Sequence, residues 1–297
     1  MNRENSSRDQ AHSLRIQRRE DYTFSSQSDN QNRARRITVT SGKGGVGKSN
    51  ISLNLAIAYG RLKKRVLLID ADTNLANIDI LLGLHIRQSL ADVVLGDAFF
   101  SDVMVNGPEG IKILPGSSGI IEMVERDSTV RDKLLTAFEE FERIYDIIVI
   151  DTGAGLSENV LAFILGADDV VLVTNSEPTS ITDAYAMVKV AIQQNPAVKI
   201  HVIVNLAVNR AQAEETFEKL QLAVRNFLQA EISMLGFLPV DPNIPVAVGK
   251  QEPFTSLFPR STATNSLMMM ARKLLKISIP DPNRVNFLAK IFHTKRI

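Results

Sequence analysis

The chain has 297 residues, 44% of them hydrophobic, enough to bury one large core or at most two smaller ones. It has no cysteine, which excludes disulfides, cysteine-ligated zinc and iron–sulfur clusters and suits a reducing cytosol. The net charge of +1 hides an asymmetry: residues 1–36 carry eight Arg or Lys against five acids, residues 284–297 carry four against none, and the body between carries 22 against 28, which argues against DNA as a partner of the core and leaves both ends open to an anionic one.

Residues 1–36 are polar and rich in Ser, Asn, Gln and Arg, the composition of a mostly disordered segment. One island inside it, Arg8–Arg15, has the pattern of a short helix with Asp9 near its start and Ala11 and Leu14 on one side. No apolar signal segment opens the chain, and no run of 18 apolar residues occurs, so nothing is expected to span a membrane. From Arg36 onward, β-rich apolar runs alternate with helical periods. The strands are expected at Ile37–Thr40, Val66–Asp70, Ile111–Leu114, Ile147–Asp151, Val170–Thr174, Ile200–Asn205 and Met234–Leu238. Helices are expected at Ser49–Arg61, Val130–Arg143, Ile181–Gln193, Ala213–Phe227 and Leu267–Ile277, the last with Met268, Met269 and Met270 as core filler. This alternation gives an α/β fold, a mostly parallel twisted sheet covered by helices on both faces, with ligand outside the carboxyl ends of the strands. Three regions follow: a segment 1–35, a body 36–279, and a terminal piece 284–297 behind the breaker Pro280-Asp281-Pro282.

The chemistry is most visible just after the first strand. Gly42-Lys43-Gly44-Gly45-Val46-Gly47-Lys48-Ser49 fits the phosphate-binding pattern G-x-x-x-x-G-K-[ST], with Asn50 next. Glycines let the backbone close around a polyphosphate and aim successive N–H groups at its oxygens. Lys48 would reach the β- and γ-phosphates of ATP, Ser49 would hold Mg²⁺, and the helix that starts there adds its positive dipole end. Two further apolar runs end in acids: Val66–Ile69 in Asp70-Ala71-Asp72, and Ile147–Ile150 in Asp151-Thr152-Gly153. Asp151 is assigned to Mg²⁺, Asp72 to orienting the attacking water, and Asp70 to supporting the metal from behind. All three can instead be helix caps or turn residues.

These motifs, with Leu75-Ala76-Asn77-Ile78-Asp79 after the paired aspartates and Ala154-Gly155 after Asp151-Thr152-Gly153, resemble the deviant Walker A ATPases related to MinD and ParA. The likeness covers residues 36–275 and implies a P-loop NTPase with ATP sandwiched between two subunits. In that arrangement Lys43 stands where the family's signature lysine crosses to the partner's phosphates, so it implies an ATP-dependent homodimer. Asn50 departs from the threonine common in the family. By the same resemblance, Asn205 and the loop Pro239-Val240-Asp241 fall where relatives hold the adenine, and Asp183 lies near the dimer interface; ordinary turns and a cap remain open for these.

The two ends narrow the resemblance. Over Val285–Phe292, Val285, Phe287, Leu288, Ile291 and Phe292 fall within one helical arc of about 160°, an amphipathic helix for an anionic membrane surface. One short copy binds weakly and two in a dimer bind far better. The alternative is a last helix packed on the body. Asp9-Gln10-Ala11-His12-Ser13-Leu14-Arg15 matches the D-Q-A-x-x-L-R element of the FlhG-type branch of the family. That resemblance implies that Asp9, Gln10, Ala11, Leu14 and Arg15 engage the GTPase FlhF, with Gln10 near its GTP. Flagellar switch-complex proteins are a further implied partner, and the implied location is cytoplasmic and peripheral at the inner face of the cell membrane. A MinD-type division-site regulator and a DNA-binding partition protein are the competing readings.

Overall fold

The computed structural model describes residues 33–72, 77–84, 86, 88, 92–93, 96–116 and 128–277. The element Asp9–Arg15, the segment Leu75-Ala76 and the amphipathic run Val285–Phe292 therefore lie outside the described residues. The strands in chain order are β1 (Arg35–Ser41), β2 (Val66–Ala71), β3 (Val105–Asn106), β4 (Lys112–Leu114), β5 (Ile147–Ala154), β6 (Asp169–Thr174), β7 (Ile200–Ala207) and β8 (Ser233–Pro239). They form one sheet in the order β3-β4-β2-β5-β1-β6-β7-β8. Every pairing is parallel except β3 with β4.

Ten helices are found among the described residues: α1 (Lys48–Arg61), α2 (Ile78–Leu82), α3 (Phe100–Val103), α4 (Ser128–Ile144), α5 (Glu158–Gly166), α6 (Pro178–Gln194), α7 (Arg210–Leu228), α8 (Asn243–Gly249), α9 (Phe254–Leu257) and α10 (Thr262–Ile277). The central strands are apolar on both faces, as a sheet with two covered faces requires. Ile37 and Val39 of β1, Leu68 of β2 and Val149 of β5 join one core with α1 and α10. Leu67, Ile69, Ile148 and Ile150 point the other way, into a core with α4. Farther along the sheet, Val202 and Val204 of β7 pack with α6 and α7. Neighbouring residues on β1 also clamp its start from both sides: Arg35 reaches Asp169 at 2.7 Å and Arg36 reaches Glu142 at 3.2 Å.

The seven expected strands and five expected helices are all present, with ends shifted by a few residues. One expectation needs correcting. Met270 is buried, but Met269 is 65% exposed. Consecutive helical residues are 100° apart, so three in a row cannot all face one core. No described helix is long and apolar enough to cross a membrane.

Candidate functional site

β1 is flanked by β5 and β6, and the loop Gly42–Gly47 leaves its carboxyl end to enter α1. Two glycines there are required by geometry. Gly47 has φ +88°, and a Cβ on it would strike the Asn205 amide nitrogen. That amide donates to the Val46 carbonyl at 2.8 Å, tying the loop to the end of β7. A Cβ on Gly42 would strike the Asp183 carbonyl of α6. Gly44 and Gly45 lie exposed at the tip, while Val46 is buried and anchors the loop. No side chain caps the amino end of α1. Its first-turn N–H groups are thus available to an anion at the positive end of the helix.

Lys48 donates to Asp151 Oδ1 at 2.9 Å and to Ser49 Oγ at 3.1 Å. Ser52, one turn along α1, donates to the same Asp151 oxygen at 2.7 Å. Asp151 is fully buried and its Oδ2 has no hydrogen-bond partner among the described residues. A buried carboxylate oxygen left without a donor costs about 3 kcal/mol or more, so the site is built for a donor or a cation there. Ser49 and Asp151 supply one hydroxyl and one carboxylate, a donor set that fits Mg²⁺ when phosphates complete its octahedron. No cluster of three acidic or histidine side chains that could hold a metal ion occurs among the described residues.

The register of β2 and β5 sets Asp70 directly opposite Asp151. Asp70 Oδ1 accepts from the Asp72 N–H at 3.1 Å, and Oδ2 accepts from the N–H groups of Asn77 at 3.1 Å and Ile78 at 3.2 Å. Both oxygens thus hold the loop that follows β2, and the geometry makes Asp70 first a loop anchor. Burial, then the charge of Asp151, raises its pKa to about 6 against the pull of those three N–H groups. The same loop carries Asp72 to the end of β5, where its Oδ1 is 3.5 Å from the position a Cβ on Gly153 would take.

Lys43 donates to Glu177 Oε2 at 2.6 Å and to Thr179 Oγ1 at 3.1 Å, both at the start of α6. The ammonium holds the Glu177 carboxyl below its usual range. Asn50 accepts from the Asn54 amide with both its carbonyl and its side-chain oxygen, at 2.8 Å each.

Asn205 Oδ1 is buried and has no hydrogen-bond partner among the described residues, Pro239 is half-buried and Val240 is 60% exposed. Asp241 is buried. Its oxygens accept from Asn243 N–H at 2.9 Å and from Ala263 N–H at 3.3 Å, so it caps the turn into α8 and the start of α10. Sequence reasoning also missed Glu177, Thr179, Ser52 and Leu206, the last 43% exposed with φ +55° beside Asn205. The only signal for Glu177 was its place just past the carboxyl end of a parallel strand.

A family model described as an AAA domain matches residues 34–202. The antiactivator FleN of Pseudomonas aeruginosa is 39% identical over 244 residues, covering 82% of this chain and 87% of that protein. The flagellum site-determining protein YlxH of Helicobacter pylori is 31% identical over 273 residues, covering 89% and 91%. Among solved structures, the cell division ATPase MinD of Pyrococcus furiosus superposes with a TM-score of 0.67 at 25% identity over 82% of this chain and 100% of that one. MinD of Pyrococcus horikoshii, solved with Mg-ADP, gives a TM-score of 0.65 at 28% identity over 81% and 96%. Identity and coverage at this level make the chain a member of the AAA-domain family of MinD/ParA-type P-loop ATPases, in its FlhG-like group.

Proposed function

We propose that this chain is an ATP-hydrolysing switch with slow turnover that sets flagellar number and placement. In this reading ATP binding joins two copies and favours attachment to the inner face of the cell membrane through Val285, Phe287, Leu288, Ile291 and Phe292. The segment Asp9–Arg15 acts on the GTPase FlhF, and switch-complex proteins are further partners. The observation that carries it is the convergence of Lys48, Ser49, Asp151 and Asp72 at the ends of adjacent strands, with Lys43 at the surface of the same loop. The likeness to YlxH, a flagellum site-determining protein, and to the antiactivator FleN supports the flagellar setting.

Lys48 exchanges Asp151 for the β- and γ-phosphates, while the N–H groups of Gly44–Ser49 cradle them. Ser49 and Asp151 would hold Mg²⁺, and the ion would supply charge neutralisation during phosphoryl transfer. Asp72 orients the attacking water beside Gly153. Lys43 leaves Glu177 and reaches the partner's phosphates, so that hydrolysis requires assembly. The distribution of exposed apolar side chains supports pairing through this face. Among the described residues, seven of the eleven large ones follow the carboxyl ends of strands, Leu156, Leu206, Val208 and Val240 among them.

A MinD-type division-site regulator is the second reading, favoured by the likeness to MinD structures. GTP turnover by FlhF, measured with the intact chain and with Gln10→Ala, separates the two. Stimulation that disappears with Gln10 supports the flagellar reading. Absence of stimulation by either chain moves the division-site reading to first place.

A further inference from the structure

The amino-terminal ends of the strands, opposite the nucleotide, carry a compact group of exposed cations. Lys63, Lys64 and Arg65 precede β2, Arg143 lies in the last turn of α4 ahead of β5, and Arg33 precedes β1. These three strands are neighbours in the sheet, so the segments that carry the cations enter it side by side. Two acids sit among them. Asp146 accepts from Arg65 N, Nε and Nη2 at 2.8, 3.2 and 2.7 Å. Glu142 takes the buried Arg36 at 3.2 Å and lies 3.9 Å from Arg33. Lys63, Lys64 and Arg143 form no ion pair among the described residues, and the charge of Lys64 acts on Asp146 without bonding it.

Cations near a helix end have an ordinary reason to be there, the negative end of the dipole. That accounts for Arg61 in the last turn of α1 but not for the backbone of Lys63. Lys63 has φ +61°. Its N–H reaches the Gly60 carbonyl at 2.9 Å, and the Lys64 N–H reaches the Tyr59 carbonyl at 3.1 Å. This is a Schellman motif with lysine at the left-handed position that glycine favours, because a Cβ is strained there. A lysine at that point sacrifices backbone ease and adds a charge at the β2 side of the group.

We propose that this rim docks a short acidic segment of a partner protein. A DNA duplex bound tightly engages roughly 6–10 phosphates, more than this group reaches, and Asp146 and Glu142 interrupt any longer track. A flat bilayer fits poorly as well. In a dimer joined at the nucleotide face, on the reading above, the two rims point away from each other and cannot both rest on one membrane. The same geometry leaves the rim accessible with or without ATP.

The test uses the full-length chain without nucleotide and a fluorescein-labelled octaglutamate peptide, followed by anisotropy at low salt. Lys63→Glu/Lys64→Glu lowers affinity about fivefold or more, and Lys219→Glu on α7 leaves it unchanged. Lys63→Gly lowers affinity about twofold while raising the melting temperature by about 2 °C, which separates lost charge from lost fold. The basic ends are common to all variants, so only differences between variants report on the rim. Equal affinity of wild type and the double variant overturns the proposal. So does Lys63-dependent binding of octathymidylate, or of phosphatidylglycerol vesicles, that is tighter than binding of the peptide.

Discussion

Asp70 and Asp151 face each other across β2 and β5, and only Asp151 has an ammonium beside it. A carboxyl with a folded pKa of about 6 and an ordinary unfolded value destabilises the fold above pH 6. That penalty vanishes as pH falls toward 4, where both states hold the proton. Thermal denaturation without nucleotide or Mg²⁺ should therefore show stability rising as pH drops from 7.5 to 5.5, by about 1 kcal/mol, with Asp70→Asn flattening the slope. At Lys43 the expectation is kinetic. Glu177→Gln removes the acid that holds the lysine within its own chain, so ATP-dependent assembly should speed up in light-scattering traces, and unchanged traces would remove that role from Glu177. The glycine–lysine spacing and the terminal aspartates were legible because a phosphate cradle needs those residue types in that order. Glu177 was not, because it lies 134 residues from Lys43 and only the meeting of β1 and β6 brings them together.

At the scale of elements, α1 joins the site to the core. Its residues Ile51, Leu53, Leu55, Ile57 and Tyr59 are all buried, since the sheet lies on one side and α9 and α10 close the other. A helix so enclosed shows little amphipathic period. It was recognised from the glycine loop before it rather than from its pattern. Asn54 ties it to α9, accepting from Thr255 N–H at 3.0 Å and from the Thr255 hydroxyl at 2.8 Å. Asn54→Ala leaves those buried donors unmatched and should lower unfolding free energy by about 1–3 kcal/mol in a denaturant titration. Leu55→Ala, a plain core truncation, should lose about 2–5 kcal/mol. The mostly parallel sheet followed from alternating strands and helices, yet β3, α2, α3, α5, α8 and α9 escaped. β3 has two residues, too short for any period, and α5 (Glu158–Gly166) is apolar nearly all round, which disguises a helix as a buried strand.

The whole molecule is polarised. Exposed apolar side chains, the P-loop and Lys43 gather at the carboxyl ends of the strands, and a compact basic rim lies at the other end. On the readings proposed above, one end receives a second copy and the other something acidic. The parallel sheet explains why this polarity was only half legible: net charge along the chain showed basic ends and an acidic body, but not which residues a crossover returns to one rim. Hydrolysis by paired copies is open to a complementation assay with two variants that should each be inactive, Lys43→Ala and Asp72→Ala. In a mixed dimer, the site of the Lys43→Ala chain keeps its own Asp72 and receives Lys43 from its partner. An equal mixture should recover about a quarter of the wild-type ATP hydrolysis rate, since about half the dimers are mixed and each has one complete site. Phosphate release no greater than the average of the two variants measured separately would contradict a lysine supplied across the dimer.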